Sequence, residues 1–223
     1  MGYFILEGLN NKALLKGNTM DISSLNAYHL DILKEIGNIG AGNAATALAK
    51  LLDKKVDMKV PQIRIMGFSD VNEVLGSAET PVVGILLGVL GDISGYILFV
   101  LEQEAANMLV NILMGKPLHQ EMEYNEITLS ALKEVGNILT GSYLSALSTL
   151  TGLRIMPDVP ALAIDMAGAI LSVPAIAMGK TTDTVLYIET EFIQGADRVI
   201  GDFFLVPDQD SYVRLLNTLG AMC

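Results

Sequence analysis

A chain of 223 residues with 51% apolar and 17% charged side chains is long enough to bury a sizeable core and too apolar to be disordered. With 25 acidic against 14 basic residues, a formal net charge of −11 and no dense run of Lys or Arg, it is no match for a nucleic-acid backbone; a basic protein surface is the better partner. The one cysteine, Cys223, excludes an intrachain disulfide and fits a reducing cytoplasm, and with two scattered histidines it makes no metal-ligand cluster.

The first twenty residues hold an apolar stretch of only four, Tyr3 to Leu6, without the regions of a secretory signal. Leu6 stands where myristoylation after Gly2 requires Ser or Thr. Met20 precedes a helix-start signal, so residues 1–19 read as a disordered or non-native extension and residues 20–223 as the domain. A long helix follows, containing LKEIGNIGAGN at 33–43. Its three glycines, Gly37, Gly40 and Gly42, each cost a helix roughly 1 kcal/mol relative to Ala. At about 100° per residue, Glu35, Asn38 and Gly42 fall within about 40° of Asp31. Leu30, Leu33, Ile36, Gly40, Ala44, Leu48 and Leu51 gather on the other side.

Beyond a strand and a short helix, residues 82–115 read as strand, turn at Gly91-Asp92, strand, and a helix from Ala105 to Met114 with Gly115 as its C-cap. The linker GKPLHQEMEYNE is about a dozen polar residues, too short to argue for independent domains. After it, LKEVGN at 132–137 repeats LKEIGN at 33–38 with an offset of 99 that holds without a gap for about thirty residues. Gly42 meets Gly141, Leu48 meets Leu147, and Val60-Pro61 meets Val159-Pro160. The chain is an internal duplication.

Residues 159–179 are 21 residues with a single charge, Asp165, long enough to span a membrane. Pro160, Pro174 and Asp165 argue against a span and for a strand followed by a small-residue helix, packed in the core or facing a partner. Strands at 185–192 and 199–206 flank a turn at Gly195-Ala196-Asp197, and a helix at 211–219, with Ser211 as its cap, precedes Gly220. Each half thus reads long helix, strand, short helix, two strands, helix. That order predicts an α+β fold: one pseudo-two-fold symmetric domain of two repeats, about 24–115 and 124–220, whose antiparallel sheet is flanked by the long helices.

A Glu on a helix exterior is ordinarily just solvated. Asn38 and Gly42 are less easily dismissed, because both are poor helix formers and Asn137 and Gly141 repeat them, while neighbours such as Asn43 and Ser142 have diverged. No nucleophile–base pair is visible: His29, near the first helix start, has Thr128 in its place in the second copy. GNIGAGN follows a helix start rather than a strand, so it is no dinucleotide loop. A side-chain amide is no general base, but its carbonyl oxygen can hold a water in line with a labile substrate such as an acyl phosphate.

DILKEIGN with Pro61 23 positions after Asn38, and SALKEVGN with Pro160 23 positions after Asn137, resemble the duplicated phosphatase signature of the CheC–CheX–FliY family. That signature is Asp or Ser, three residues, Glu, two residues, Asn, and a distant Pro. Two signatures and flanking sequences such as GNIGAGNAATA are similar to the CheC branch; CheX has one signature, and FliY an additional domain. The resemblance implies a phosphatase acting on the phospho-aspartate of the response regulator CheY in the cytoplasm. Glu35 and Glu134 would contact the regulator, Asn38 and Asn137 would position the attacking water, and Asp31 and Ser130 would complete the motifs. Pro61 and Pro160 would fix the chain beside each site, although each could equally be a plain strand boundary. Mg²⁺ would come from the regulator's own pocket, leaving this chain, expected to be a monomer, without a cofactor. The resemblance also implies binding of the receptor deamidase CheD through the short helix of the second half, with Asp165 as the contact; a mainly non-catalytic adaptor regulating CheD is the alternative.

Overall fold

The computed structural model describes residues 27–53, 55–178, 184–194 and 197–220. The expected extension, the turn residues Gly195 and Ala196, and Cys223 lie outside them. The first half runs α1 (Ala27–Leu52), β1 (Asp57–Lys59), β2 (Ile63–Gly67), α2 (Phe68–Val74), β3 (Pro81–Gly91), β4 (Gly95–Glu102) and α3 (Gln103–Met114). The second runs α4 (Glu126–Thr151), β5 (Ile155–Pro157), β6 (Ala161–Met166), α5 (Ala167–Met178), β7 (Thr184–Gln194), β8 (Asp197–Pro207) and α6 (Gln209–Gly220).

Local chemistry sets the helix ends. Asn125 caps α4, its side chain accepting from the backbone N–H groups of Ile127 and Thr128, while the Thr128 hydroxyl accepts from the Asn125 N–H at 2.9 Å. Gly152 ends α4 at φ 71° and Gly115 ends α3 at φ 64°, as left-handed caps. For α6 the cap is Asp208, whose carboxylate accepts the Ser211 N–H at 2.8 Å. Ser211, read from the sequence as that cap, instead accepts the Ser94 N–H at 2.7 Å and ties the β3–β4 turn to α6.

The eight strands form one antiparallel sheet. Hairpins β3–β4 and β7–β8 meet where β4 pairs β8, with Phe99 opposite Phe203 and their rings stacked at 4.4 Å. The outer strands are exchanged: β1 and β2 of the first half pair with β7 of the second, and β5 and β6 pair with β3 of the first. The expected single strand after each long helix is therefore two short ones. On one face lies the larger core, closed by α1, α3, α4 and α6; on the other lies a smaller one closed by α2 and α5. Helix α5 continues through Pro174 to Met178. Ala167, Ile170, Leu171 and Pro174 form its buried face, and that burial outweighs the backbone hydrogen bond that Pro174 removes. Among the described residues, no helix is long and apolar enough to cross a membrane.

Helices α1 and α4 touch at Gly40. A β-carbon there would stand 2.6 Å from a ring carbon of Tyr143 and 3.0 Å from its α-carbon, so the glycine makes room for the buried tyrosine, whose hydroxyl shares a 2.8 Å hydrogen bond with Thr190. The repeat offset places Leu139 opposite Gly40 and Ala44 opposite Tyr143, a small–large swap between the copies. Gly42 differs: a β-carbon there would meet nothing within 4 Å. The sheet face bearing α2 and α5 also carries polar groups. Tyr187 donates to Asp202 at 2.8 Å and lies under the Arg64 guanidinium, 5.0 Å from the ring centroid. Burial pushes the Asp202 carboxyl up to about 6; the Tyr187 bond opposes this, and Glu189 and Glu102 add to it.

Two predictions follow from this packing and are read by thermal unfolding. Gly40→Ala should lower stability by about 1–3 kcal/mol, whereas Gly42→Ala should raise it by up to about 1 kcal/mol, a few degrees in Tm in each direction. Because the Asp202 pKa is raised on folding, its ionised form destabilises the protein above about pH 6, and the penalty fades as pH falls towards the ordinary carboxylate range. Asp202→Asn, which keeps an acceptor for Tyr187, should therefore add on the order of 1–3 kcal/mol at pH 8 and progressively less as pH falls to about 4.

Candidate functional site

On α1 the side chains of Asp31, Glu35, Asn38 and Gly42 are exposed, while Leu33, Ile36, Ala44 and Leu48 are buried beneath them. On α4 Ser130, Glu134 and Asn137 are exposed and Gly141 half-buried, above Leu132, Val135, Leu139 and Tyr143. The helical period thus puts one carboxylate and one amide, a turn apart, on the outer surface of each long helix. One residue departs from the expected apolar side: Leu51, in the last turn of α1, is 55% exposed.

Among the described residues, no side-chain hydrogen bond or ion pair engages Glu35, Asn38, Glu134 or Asn137. The helix is bare beside each amide, since β-carbons at Gly42 and Gly141 would both project into open space. A shallow open hollow begins at Gly42 and runs past Thr46 and Lys50 to Lys55 and Asp57, which are paired at 3.0 Å. This is a surface for another surface, not a pocket that encloses a small substrate. Among the described residues, no three His, Cys, Asp or Glu side chains are placed to hold a metal ion.

The two signature prolines sit in equivalent irregularities. Lys59 pairs with Glu191 and Ile63 with Ile188, so Val60, Pro61 and Gln62 oppose only Thr190 and Glu189. Pro157 pairs with Val89 and Ala161 with Leu86, so Asp158, Val159 and Pro160 oppose only Gly88 and Leu87. Each is a bulge with one extra residue, and a proline, having no N–H for the ladder, suits it. The Glu189 N–H donates to the Gln62 carbonyl at 2.9 Å and the Asp158 N–H to the Gly88 carbonyl at 2.8 Å, pinning the two bulges.

The copies then part company. Gly37, next to Asn38, seats α1 on the first bulge: its β-carbon would lie 3.1 Å from Ile63 and 3.3 Å from Val60. Gly136, next to Asn137, seats α4 on Ile85 of β3, where a β-carbon would come within 2.8 Å. Accordingly Val60 is 2% exposed and Val159 81%. Identical residues at the repeat offset gave no sign of this difference, which depends on what packs over each bulge.

Asp165 lies in strand β6, opposite Val82, and not in a helix. The ladder to β3 keeps the segment extended through Met166, and α5 begins only at Ala167, whose N–H donates to the Thr80 carbonyl at 2.8 Å. The Asp165 carboxylate is exposed and accepts the Met166 N–H at 2.8 Å. At this strand-to-helix corner Ile164 and Met166 are exposed, and further along α5 so are Val173 and Ile176. The family resemblance implied a contact on the short helix, whereas Asp165 stands in the strand before it.

The sequence model of the CheC-like family matches residues 29–65 and 127–164, which are the two units of long helix, bulge and paired strands. CheY-P phosphatase CheC of Bacillus subtilis is 36% identical over 196 residues, covering 86% of this chain and 94% of the relative. The flagellar motor switch phosphatase FliY of the same organism is 31% identical over 146 residues, 62% of this chain and 38% of that protein. The crystal structure of Thermotoga maritima FliY has the same fold, with a TM-score of 0.72 at 24% identity over 89% of this chain and 99% of that one. With family segments falling on both units and near-complete coverage of a 36%-identical relative, the chain belongs to the CheC-like family.

Proposed function

We propose that this protein hydrolyses the aspartyl phosphate of a CheY-type response regulator. The observation that carries the reading is the doubled Glu–Asn pair on exposed helix faces, unengaged by neighbouring side chains and flanked by bare glycine. In each site the amide oxygen of Asn38 or Asn137 accepts a hydrogen bond from water and holds it in line with the phosphorus. The water oxygen forms the new bond to phosphorus, the bond to the aspartate oxygen breaks, and inorganic phosphate and a free carboxylate result. An acyl phosphate is labile enough for positioning to suffice. Glu35 and Glu134 pair with a lysine of the regulator and fix its orientation. Pro61 and Pro160 hold the bulges beside the helices. Mg²⁺ is supplied by the acidic pocket of the regulator. The relatives named CheY-P phosphatase and motor switch phosphatase support the same reading.

The protein acts as a cytoplasmic monomer and binds the receptor deamidase CheD at the Asp165 corner. A second reading, an adaptor that regulates CheD and turns over little phosphate, is favoured by the apolar side chains left exposed on β6 and α5, Ile164 and Met166 beside Asp165 and Val173 and Ile176 along the helix.

Phosphate release from phosphorylated CheY separates these readings. Asn38→Ala with Asn137→Ala should lower the accelerated rate by about 10²-fold with the fold intact, and each single variant should keep the other site's activity. Normal turnover in the double variant would sink the phosphatase assignment. Asp165→Lys should weaken CheD binding by at least about 30-fold, measured by calorimetry, and leave phosphate release from CheY unchanged. Undiminished CheD binding would remove Asp165 from the interface.

A further inference from the structure

The exposed stripe on each long helix does not stop at its acidic or hydroxyl residue. Three positions earlier stand Tyr28 and Ile127, related by the repeat offset of 99. Steps of three, four, three and four carry each helix from this residue through Asp31 or Ser130, the Glu and the Asn to the bare glycine, so all lie on one face. Tyr28 is 48% exposed and Ile127 69%.

Among the described residues, neither side chain has a local reason to be large and apolar. Both sit in the first turn, where polar and acidic residues are favoured. In α4 the capping box uses Asn125 and Thr128, and the apolar residue before the cap is Tyr124, which packs against the core; the Ile127 side chain takes no part in either. Tyr28 makes an edge-on ring contact with its neighbour His29 at 6.4 Å, which leaves half of it in solvent. The two copies have diverged to different residue types here, yet both kept a bulky apolar group facing water.

Electrostatics says what such a group would do. The chain carries a net charge of −11, which repels the acidic pocket and phosphoryl group at the regulator's own site, so the Glu–lysine pair of each site works against that local repulsion. Desolvated apolar contact placed away from the phosphate adds affinity that this repulsion does not oppose. At about 1.5 Å per residue, Tyr28 and Ile127 lie about 15 Å along the helix from the water-positioning amides, within the footprint of a regulator domain of about 100 residues.

We infer that Tyr28 and Ile127 are the apolar anchors by which each site grips its response regulator, touching an apolar patch on that protein and not the reacting atoms. The inference rests on the phosphatase reading and names the residues that set its affinity. It is tested by steady-state phosphate release from phosphorylated CheY with the full chain, using Tyr28→Ser/Ile127→Ser, the conservative Tyr28→Phe/Ile127→Met, and Asn38→Ala/Asn137→Ala. The serine pair should raise KM about tenfold and leave kcat within about twofold, with unchanged Tm, and the conservative pair should restore the wild-type KM. Binding of beryllofluoride-activated CheY to the Asn38→Ala/Asn137→Ala background should weaken about tenfold when the serines are added. An unchanged KM in the serine pair, or a loss confined to kcat, overturns the anchors. Normal turnover in the asparagine double variant overturns the phosphatase reading itself, whatever the anchors do.

Discussion

The structure depends on the exchange of edge strands between its two halves. Strands β1 and β2 are hydrogen-bonded to β7, and β5 and β6 to β3, so each long helix is followed by strands that belong to the other half's hairpin. Neither half closes a sheet alone. The β4–β8 ladder, with Phe99 stacked on Phe203, joins the two hairpins, and Gly40 against Tyr143 joins the two helices above them. Burying apolar faces across a pseudo-dyad makes one packed domain out of a duplicated sequence.

That exchange also shapes the candidate sites. Each bulge is pinned by a strand from the other half, Gln62 by Glu189 and Asp158 by Gly88, so the frame around one site is built from both repeats. The glycines in α1 divide by the same logic. Gly37 and Gly40 are small because a bulge and a tyrosine press on them; Gly42 is small although nothing in the chain presses on it. A helix that gives up stability at an open position is consistent with a surface shaped for another protein.

Much of this was legible in the sequence, and for physical reasons. The offset of 99 exposed the duplication, Gly91-Asp92 and Gly115 marked the hairpin and helix end, and the 3.6-residue period separated Asn38 from Leu33 and Ile36. What stayed hidden depends on tertiary partners. Local pattern does not say which hairpin receives β1 and β2. Pro61 announces an interruption, but the one-residue mismatch appears only when the strand meets β7. Asp165 was displaced into β6 by pairing with β3, and Ser211 lost the cap to Asp208 because its hydroxyl was needed at Ser94. Val60 and Val159, alike in sequence, ended at 2% and 81% exposure: Gly37 of α1 packs on Val60, whereas the equivalent Gly136 of α4 packs on Ile85.

The proposed chemistry is the direction of water to the phosphorus of a response regulator's aspartyl phosphate. The most direct measurement is turnover of phosphorylated CheY in ¹⁸O-labelled water with sub-stoichiometric amounts of the protein and Mg²⁺. Loss of phosphate should be faster than the regulator's own hydrolysis, with the label in the released phosphate and none in the aspartate. Unaccelerated loss, or label in the regulator's carboxylate, would contradict it.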